Sequence, residues 1–209
     1  MNKFAFNTTP SLRFGGGGFD QIGEIASKEL GLRILLVTDP GILHSGIVDR
    51  ALKALKSSGV ETAVYSDVQA DPPESIVIEA TQIAIKHRSE AVIGLGGGSS
   101  LDVAKLAALL AKSNQSLSDI YGIGNAKGPR LPLALIPTTA GTGSEVTAVS
   151  IVTTGSTTKT GVVTPLIIPD IAILDPELTL QLPPHTTAAT GIDAMVHAIE
   201  AYTSASPNN

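Results

Sequence analysis

The chain has 209 residues, of which 43% are hydrophobic and 16% are charged, so it is long enough for a sizeable core and shows no signature of disorder. Its net charge of -5 comes without a basic stripe, which argues against a nucleic-acid partner, and the lack of cysteine excludes disulfides, thiolate metal sites and a cysteine nucleophile. The amino terminus is too polar for a signal peptide and no apolar run reaches membrane length, so we expect a cytoplasmic protein with no membrane partner.

The first half of the chain predicts strands that alternate with helices. Two short strands within residues 4–14, broken at Thr9-Pro10, form an expected edge hairpin, and the glycines at 15–18 lead into a helix that runs to Glu29. Apolar runs predict buried strands at 33–38, 61–66, 91–95 and 133–136, and the sequence between them predicts helices at 48–56, 73–86 and 99–111. This alternation predicts the α/β class, a Rossmann-like parallel sheet with helices on both faces.

The composition changes after Pro137. Residues 149–163 are rich in Thr, Gly and Val and predict a β-hairpin with its turn near Gly155, and residues 171–174 predict one more strand. The Ala-rich stretch 184–204 gives the longest helical signal in the chain. We therefore expect an α/β domain over residues 1–180 and, over residues 181–209, the start of a helical domain of which this chain holds only the first helix.

A glycine loop joins the strand at 91–95 to the helix at 99–111. Gly97 and Gly98 let the backbone approach an anion, and the free N–H groups of the helix start point at it. Ser99 or Ser100 can cap the helix or donate to a phosphate oxygen. A tight turn with an ordinary serine cap is the alternative. The loop also departs from the G-x-G-x-x-G fingerprint, because Ser99 replaces the third glycine and no acid follows at about 20 residues.

Asp39 ends the strand at 33–38 and is the best candidate for a ribose-binding acid. A carboxylate there could accept hydrogen bonds from both ribose hydroxyls and repel an extra 2′-phosphate. Turn chemistry in Thr38-Asp39-Pro40-Gly41 is the alternative role. Asp71, which precedes two prolines, is ambiguous in the same way, and a turn at a helix start is the favoured interpretation.

The segment 137–145 places three threonines and a serine after the strand at 133–136. Open α/β sheets bind ligands at the carboxyl ends of their strands, so these hydroxyls are candidate donors to a ligand. A capping box ending in Glu145 is the alternative, although the density of hydroxyls exceeds what a cap requires.

Asp193 and His197 are four residues apart in the predicted last helix. Side chains at i and i+4 share a helix face, so one carboxylate oxygen and one imidazole nitrogen can converge on a single cation. A divalent metal usually needs about four donors, so this pair predicts half of a metal site. The missing half should lie in another segment, in another chain, or in sequence that this chain lacks.

The chain contains five motifs in sequence order: GGGSSLDVAK, PTTAGTGSEVT, the segment around Lys159, DPELT at 175–179 and GIDAMVHAIEAYTS. In this order and spacing, these motifs resemble those of the iron-containing (group III) alcohol dehydrogenases. The likeness runs along essentially the whole chain and corresponds to that family's amino-terminal nucleotide-binding portion and the first helix of its helical domain. It implies the fold shared with dehydroquinate synthase and glycerol dehydrogenase, and a homodimer that is joined through the edge hairpin. It also implies metal-dependent hydride transfer between NAD(P) and a primary alcohol or aldehyde.

The resemblance also implies roles for individual residues. Gly97, Gly98 and Ser99 would hold the coenzyme diphosphate, and Asp39 matches the acid that selects NAD over NADP. The other implied coenzyme contacts, on the ribose and nicotinamide side and along the same cleft, are Asp102, Thr138, Thr139, Thr142, Lys159 and Leu178. Asp193 and His197 match the first two metal ligands, for Fe²⁺ or Zn²⁺, and are the implied catalytic residues.

Two other classes of function compete with this interpretation. A dehydroquinate synthase-like lyase would lack the PTTAGTGSEVT and GIDAMVHAIE patterns. A free-standing nucleotide-binding module without catalysis would have no use for Asp193 and His197. On the favoured interpretation the chain is an incomplete dehydrogenase, and we expect the isolated 209 residues to be inactive.

Overall fold

The structure is a computed structural model in which residues 7–204 are described. The strands of the described part are β1 (Ser11–Phe14), β2 (Arg33–Val37), β3 (Glu61–Tyr65), β4 (Ala91–Gly96), β5 (Gly122–Ile123), β6 (Leu133–Pro137), β7 (Val149–Thr154), β8 (Thr158–Val163) and β9 (Ile171–Leu174). The α-helices are α1 (Ile22–Ile25), α2 (Pro40–His44), α3 (Ile47–Ser57), α4 (Glu74–His87), α5 (Gly98–Leu110) and α6 (Pro184–Thr203). A 3-10 turn at Gly18–Gln21 and a π turn at Ala26–Leu30 extend α1 on either side, and further 3-10 turns span Leu117–Asp119, Ser144–Val146, Pro165–Ile167 and Pro176–Thr179.

Six strands form one parallel sheet in the order β1-β9-β6-β4-β2-β3, which confirms the predicted α/β class. All of its strand pairs run parallel. The edge strand β1 pairs with β9, and the other strand of the expected edge hairpin includes residues 4–6, which lie outside the described residues. None of the helices within residues 7–204 is long and apolar enough to cross a bilayer.

The sheet separates two apolar cores, because successive side chains of a strand point to opposite faces. In β2, Leu35 and Val37 belong to the core that α4 and α5 cover, whereas Ile34 and Leu36 belong to the core that holds Phe19 and α3. All six residues of β4 are buried, as expected for a central strand covered on both faces. The helices therefore lie on both sides of the sheet, as predicted.

A second, three-stranded sheet has the order β5-β8-β7. Strands β7 and β8 form the predicted antiparallel hairpin, and Gly155 lies in its turn with φ of 61°, a conformation that favours glycine. Helix α5 packs against β7, so this hairpin lies beside the glycine loop.

The strand order predicts a crevice between β2 and β4. From β2 the chain proceeds to β3 on one side, and it then returns to add β4 on the other side. Open α/β sheets bind ligands at the carboxyl ends of the strands where the order reverses in this way. Asp39 follows β2 and Gly97 follows β4, so the two candidate residues flank the crevice that the topology predicts.

Candidate functional site

A cleft of about 960 Å³ brings together much of the predicted site. Its walls come from the glycine loop, from the hydroxyl loop (residues 137–145), from the hairpin of β7 and β8, and from α6. The predicted residues that line it are Gly98, Ser99, Asp102, Thr142, Lys159, Asp193 and His197. Residues as far apart in the sequence as Asp71 and His197, which are 126 positions apart (197 minus 71), thus share one cavity.

The glycine loop begins α5 with free backbone N–H groups. The helix starts at Gly98, and neither Ser99 nor Ser100 caps it with a side-chain hydrogen bond, so the serine-cap alternative is wrong. Ser100 Oγ instead donates to Asp39 Oδ2 at 3.1 Å. The first N–H groups of a helix lack intrahelical partners and favour an anion, so this terminus can receive a phosphate.

Asp39 performs turn chemistry and also contacts the glycine loop. Its Oδ1 accepts from Ile42 N–H at 3.1 Å and thereby caps α2, a short helix that the sequence interpretation missed. A Cβ atom added to Gly96 would lie 2.8 Å from Asp39 Oδ2, so the carboxylate stands directly beside the end of β4. The capping role is confirmed, and the role in ribose binding stays a prediction that this position supports.

The hydroxyl loop starts beside the glycine loop. Thr138 N–H donates to Gly96 O at 2.9 Å, and a Cβ atom added to Gly97 would make an ordinary contact with Thr139 at 3.6 Å. Thr138 is buried, and its Oγ1 has no hydrogen-bond partner within the described chain. A buried polar atom without a partner is uncommon in folded proteins, and a ligand could satisfy it.

The sequence interpretation missed the part played by Ser144 and Lys105. The alternative interpretation, a capping box ending in Glu145, is wrong: Ser144 Oγ donates to Asp102 Oδ1 at 2.6 Å, and no side chain caps the turn that Ser144 begins. Lys105 is fully buried and donates to Val149 O at 2.8 Å, and its Nζ lies 3.6 Å from Asp102 Oδ1. The signal in the sequence was a single lysine, three residues after Asp102, on an otherwise apolar stretch of helix.

Burial controls the protonation of this pair. It lowers the pKa of Lys105 to about 8, and the charges of Asp102 and Glu145 act in the opposite direction. Burial also raises the pKa of Asp102, against the effects of Lys105, Ser144 and the Ile151 N–H. The carboxylate therefore depends on these protein donors for its negative charge.

Lys159 lies on the hairpin side of the cleft and pairs with Asp71. Lys159 Nζ is 2.6 Å from Asp71 Oδ1, and both side chains are exposed. Asp71 lies in a bend three residues before α4, which agrees with the favoured turn at a helix start, although no side chain caps that helix. Asp71 adopts a φ of 52°, which is uncommon for a residue other than glycine. The Asp71 segment is held to β7 by Thr153 N–H, which donates to Pro72 O at 2.9 Å.

Leu178 lies outside the lining of the cleft. Its side chain is 3% exposed and belongs to the core that also holds Phe19 and Ile173, because the 3-10 turn at Pro176–Thr179 directs it into that core. Asp39, Gly97, Thr138 and Thr139 are likewise absent from the lining of this cavity, so the coenzyme contacts of these residues and of Leu178 stay predictions.

Asp193 and His197 face the cleft from α6. Asp193 Oδ2 and His197 Nε2 are 3.5 Å apart, and the side chains are 45% and 61% exposed. Gly141 allows α6 to approach the hydroxyl loop, because an added Cβ would stand 2.5 Å from Thr190 O, one turn before Asp193. A carboxylate oxygen and an imidazole nitrogen at this separation fit a divalent cation as two of its ligands. Within residues 7–204 no group of three His, Cys, Asp or Glu could hold a metal ion.

Comparison with known proteins gives a consistent result. The family model for iron-containing alcohol dehydrogenases matches residues 9–176 of this chain. Long-chain-alcohol dehydrogenase 1 of Geobacillus thermodenitrificans (strain NG80-2) is 44% identical over 96% of this chain and 52% of its own length. The crystal structure of 1,3-propanediol oxidoreductase superposes with a TM-score of 0.94, at 32% identity, over 99% of this chain and 55% of that chain.

A structure with bound coenzyme is also similar. Sulfoacetaldehyde reductase from Bifidobacterium kashiwanohense in complex with NAD+ has a TM-score of 0.87 and 36% identity, over 97% of this chain and 54% of that chain. The chain spans about half the length of the curated relatives that it matches. The match over residues 9–176, together with the shared sheet, shows that this chain belongs to the iron-containing alcohol dehydrogenase family.

Proposed function

We propose that this chain is the NAD-binding part of a metal-dependent alcohol dehydrogenase, which transfers a hydride between NAD(P) and a primary alcohol or aldehyde. One observation carries the proposal: the glycine loop, the hydroxyl loop and the Asp193–His197 pair line one cleft. Hydride transfer requires the reactive carbon of a nicotinamide to lie against the carbon of the alcohol, so coenzyme and oxygen-activating group must share a cavity. The similar sulfoacetaldehyde reductase, whose structure holds NAD+, supports NAD as the coenzyme.

The coenzyme residues follow from this arrangement. Backbone N–H groups of Gly97, Gly98 and Ser99, at the start of α5, would hold the diphosphate. Asp39, at the end of β2, would accept from the ribose hydroxyls and disfavour NADP, because its charge repels a 2′-phosphate.

The hydroxyl loop supplies the donors on the nicotinamide side. Thr138, Thr139 and Thr142 would orient the ribose and the nicotinamide ring, and Lys159, which lines the same cleft as Thr142, would approach from the hairpin of β7 and β8. An orientation fixed by several donors reduces the entropy lost when the two reacting carbons are aligned. Gly141 supports this role, because it lets α6 lie close to the loop.

Asp193 and His197 would hold the metal, as Fe²⁺ or Zn²⁺. The chemistry that such a cation supplies is Lewis-acid polarisation of the alcohol or carbonyl oxygen. Two protein donors give a weak site, so we predict that the 209-residue chain binds NAD but lacks dehydrogenase turnover by itself.

Two measurements on the 209-residue chain test the proposal. Calorimetric titration with NAD should show binding at one site, and failure to bind NAD would refute the proposed function. NAD-dependent oxidation of butanol or 1,3-propanediol, assayed after Fe²⁺ or Zn²⁺ loading, should be negligible. Robust turnover would contradict the predicted inactivity and would require metal ligands that residues 7–204 do not provide.

A second candidate is a free-standing nucleotide-binding module without catalysis. The observation in its favour is that residues 7–204 offer two metal donors and no third. Separate titrations with NAD, NADP and Fe²⁺ test the module: NAD binding with negligible metal affinity is expected of the module and of an incomplete dehydrogenase alike. Tight Fe²⁺ binding would exclude the module and would require ligands other than Asp193 and His197. The homodimer, the cytoplasmic location and the division at residue 180 stay predictions.

A further inference from the structure

The two loops proposed to hold the coenzyme are joined by a closed ring of contacts. Gly98 lies against Thr142, because a Cβ atom added to Gly98 would stand 2.8 Å from Thr142 Cγ2. Thr142 Oγ1 accepts from Ser144 N–H at 3.2 Å, and Ser144 Oγ donates to Asp102 Oδ1 at 2.6 Å. Asp102 lies one turn after Gly98 on α5, so the helix itself closes the ring.

Both oxygens of the Asp102 carboxylate accept hydrogen bonds from the protein. Oδ1 accepts from Ser144 Oγ, and Oδ2 accepts from Ile151 N–H at 2.9 Å. Hydrogen bonds to an ionised carboxylate are short and about twice as strong as neutral ones. The orientation of Asp102 is therefore fixed by the hydroxyl loop and β7 before any ligand arrives, although the side chain lines the cleft.

Lys105 supplies the compensating positive charge from the interior. Its ammonium group is fully buried, and it donates to Val149 O at 2.8 Å and to Thr147 Oγ1 at 3.4 Å. Because Nζ lies 3.6 Å from Asp102 Oδ1, the negative charge of Asp102 is offset close to the loop that would receive a diphosphate. Asp102 can thus act as a hydrogen-bond acceptor for Ser144 with less repulsion of a bound anion.

We propose that Asp102 and Ser144 are positioning residues, whose hydrogen bond sets the spacing between the glycine loop and the hydroxyl loop and so prepares the coenzyme cleft before NAD binds. The buried ammonium group of Lys105 offsets the charge of Asp102, so the Asp102 carboxylate accepts from Ser144 without adding net charge to the cleft. This inference rests on the proposed function, since it takes NAD as the ligand of both loops. It assigns Asp102 an action through Ser144 and Thr142, in addition to the coenzyme contact that the resemblance implies.

Ser144→Ala tests the inference, because it removes the Oγ that donates to Asp102 but leaves the backbone N–H that donates to Thr142 Oγ1. We expect the Kd of the 209-residue chain for NAD to rise about tenfold, the size expected when a hydrogen bond to a charged group is lost. Ser150→Ala is the matched control. Ser150 is fully buried, and its Oγ donates to the backbone O of the same Asp102 at 3.1 Å, but it contacts neither loop through this bond. We expect the control to lower the unfolding midpoint while leaving the Kd within about twofold.

The comparison of the two variants separates positioning from stability. A Kd that is equal in Ser144→Ala and Ser150→Ala, with NAD still bound by the unsubstituted chain, overturns the positioning role alone. Failure of the unsubstituted chain to bind NAD overturns the proposed function and this inference together. If Ser144→Ala does not fold, Ser144→Cys replaces it in the comparison with Ser150→Ala, because cysteine is nearly isosteric with serine but is a weak hydrogen-bond donor. Ser144→Thr should restore the Kd to within about threefold, since it returns the hydroxyl donor.

Discussion

The tight contact between Gly98 and Thr142 makes Gly98→Ala a direct test of how the two loops form the cleft. A new methyl group would stand 2.8 Å from Thr142 Cγ2 and 3.1 Å from Thr142 Oγ1. Threonine is stiff at χ1, and its Oγ1 already accepts from Ser144 N–H, so the side chain cannot simply rotate away. The substitution must therefore move the hydroxyl loop away from the glycine loop.

The size of the effect follows from the distances. Packed carbon atoms lie about 3.5 Å apart or more, so the loops must separate by about 0.7 Å at Gly98. Overpacking of this kind costs about 1–3 kcal/mol, and the higher helix propensity of alanine offsets less than about 1 kcal/mol at the first position of a helix. We expect a loss of about 1 kcal/mol in the free energy of unfolding and a rise of about tenfold in the Kd for NAD.

The assay is a calorimetric titration of NAD with a steric rescue. Thr142→Ser removes Cγ2, the atom closest to the new methyl group, and keeps the hydroxyl. We expect Gly98→Ala/Thr142→Ser to bind NAD more tightly than Gly98→Ala, since the closest contact, to Cγ2 at 2.8 Å, is removed, while Oγ1 at 3.1 Å and Cβ at 3.2 Å stay close to the new methyl group. Gly191→Ala on α6 is the control, because nothing lies within 4 Å of its added Cβ. A folded Gly98→Ala variant with unchanged affinity, or a double variant that is not rescued, would refute the reasoning.

Two further predictions concern charge at the two ends of the cleft. Asp39→Ser keeps a hydroxyl that can accept from Ile42 N–H but removes the negative charge. We therefore expect the ratio of NADP affinity to NAD affinity, measured in parallel titrations, to rise at least about tenfold. An unchanged ratio would contradict the role of Asp39. Burial lowers the pKa of Lys105 to about 8, below the value of about 10.4 for an unfolded lysine, so between these two pH values the unfolded state holds a proton that the folded state has released. The free energy of unfolding, measured in urea, should therefore rise with pH across this window, and Lys105→Met should abolish the rise.

The parallel sheet was predictable because its central strands are apolar without interruption. Every residue of β4 and of β6 is buried. A short apolar run between two helices is typical of a strand that is covered on both faces. Strand partners were not predictable in the same way: β1 pairs with β9, whose residue Ile171 is 160 positions beyond Ser11 (171 minus 11). Helix α2 was missed because its five residues are too few to show helical periodicity.

The candidate site was predictable where its residues belong to one local motif. The glycine loop, the hydroxyl loop and the Asp193–His197 pair each occupy a short segment with a recognisable chemistry. Ser144 and Asp102 are 42 positions apart, and Lys159 and Asp71 are 88 positions apart, so only the fold joins them. Their local patterns favoured caps and turns, because serine and aspartate are also common in those structures.

The two halves of the cleft differ in how firmly the described residues hold them. The coenzyme side is built on buried elements: Asp39, Gly97 and Thr138 each follow a strand of the central sheet, and Ser144 and Lys105 are themselves buried. The metal side depends on α6, which has no buried residue and exposes Ile192 and Met195. An exposed Asp–His pair loses side-chain entropy when it binds a cation, and the bonds from only two donors compensate for that loss. Nucleotide affinity should therefore respond to changes within the sheet and its loops, whereas metal affinity should be set by whatever donors and packing complete α6.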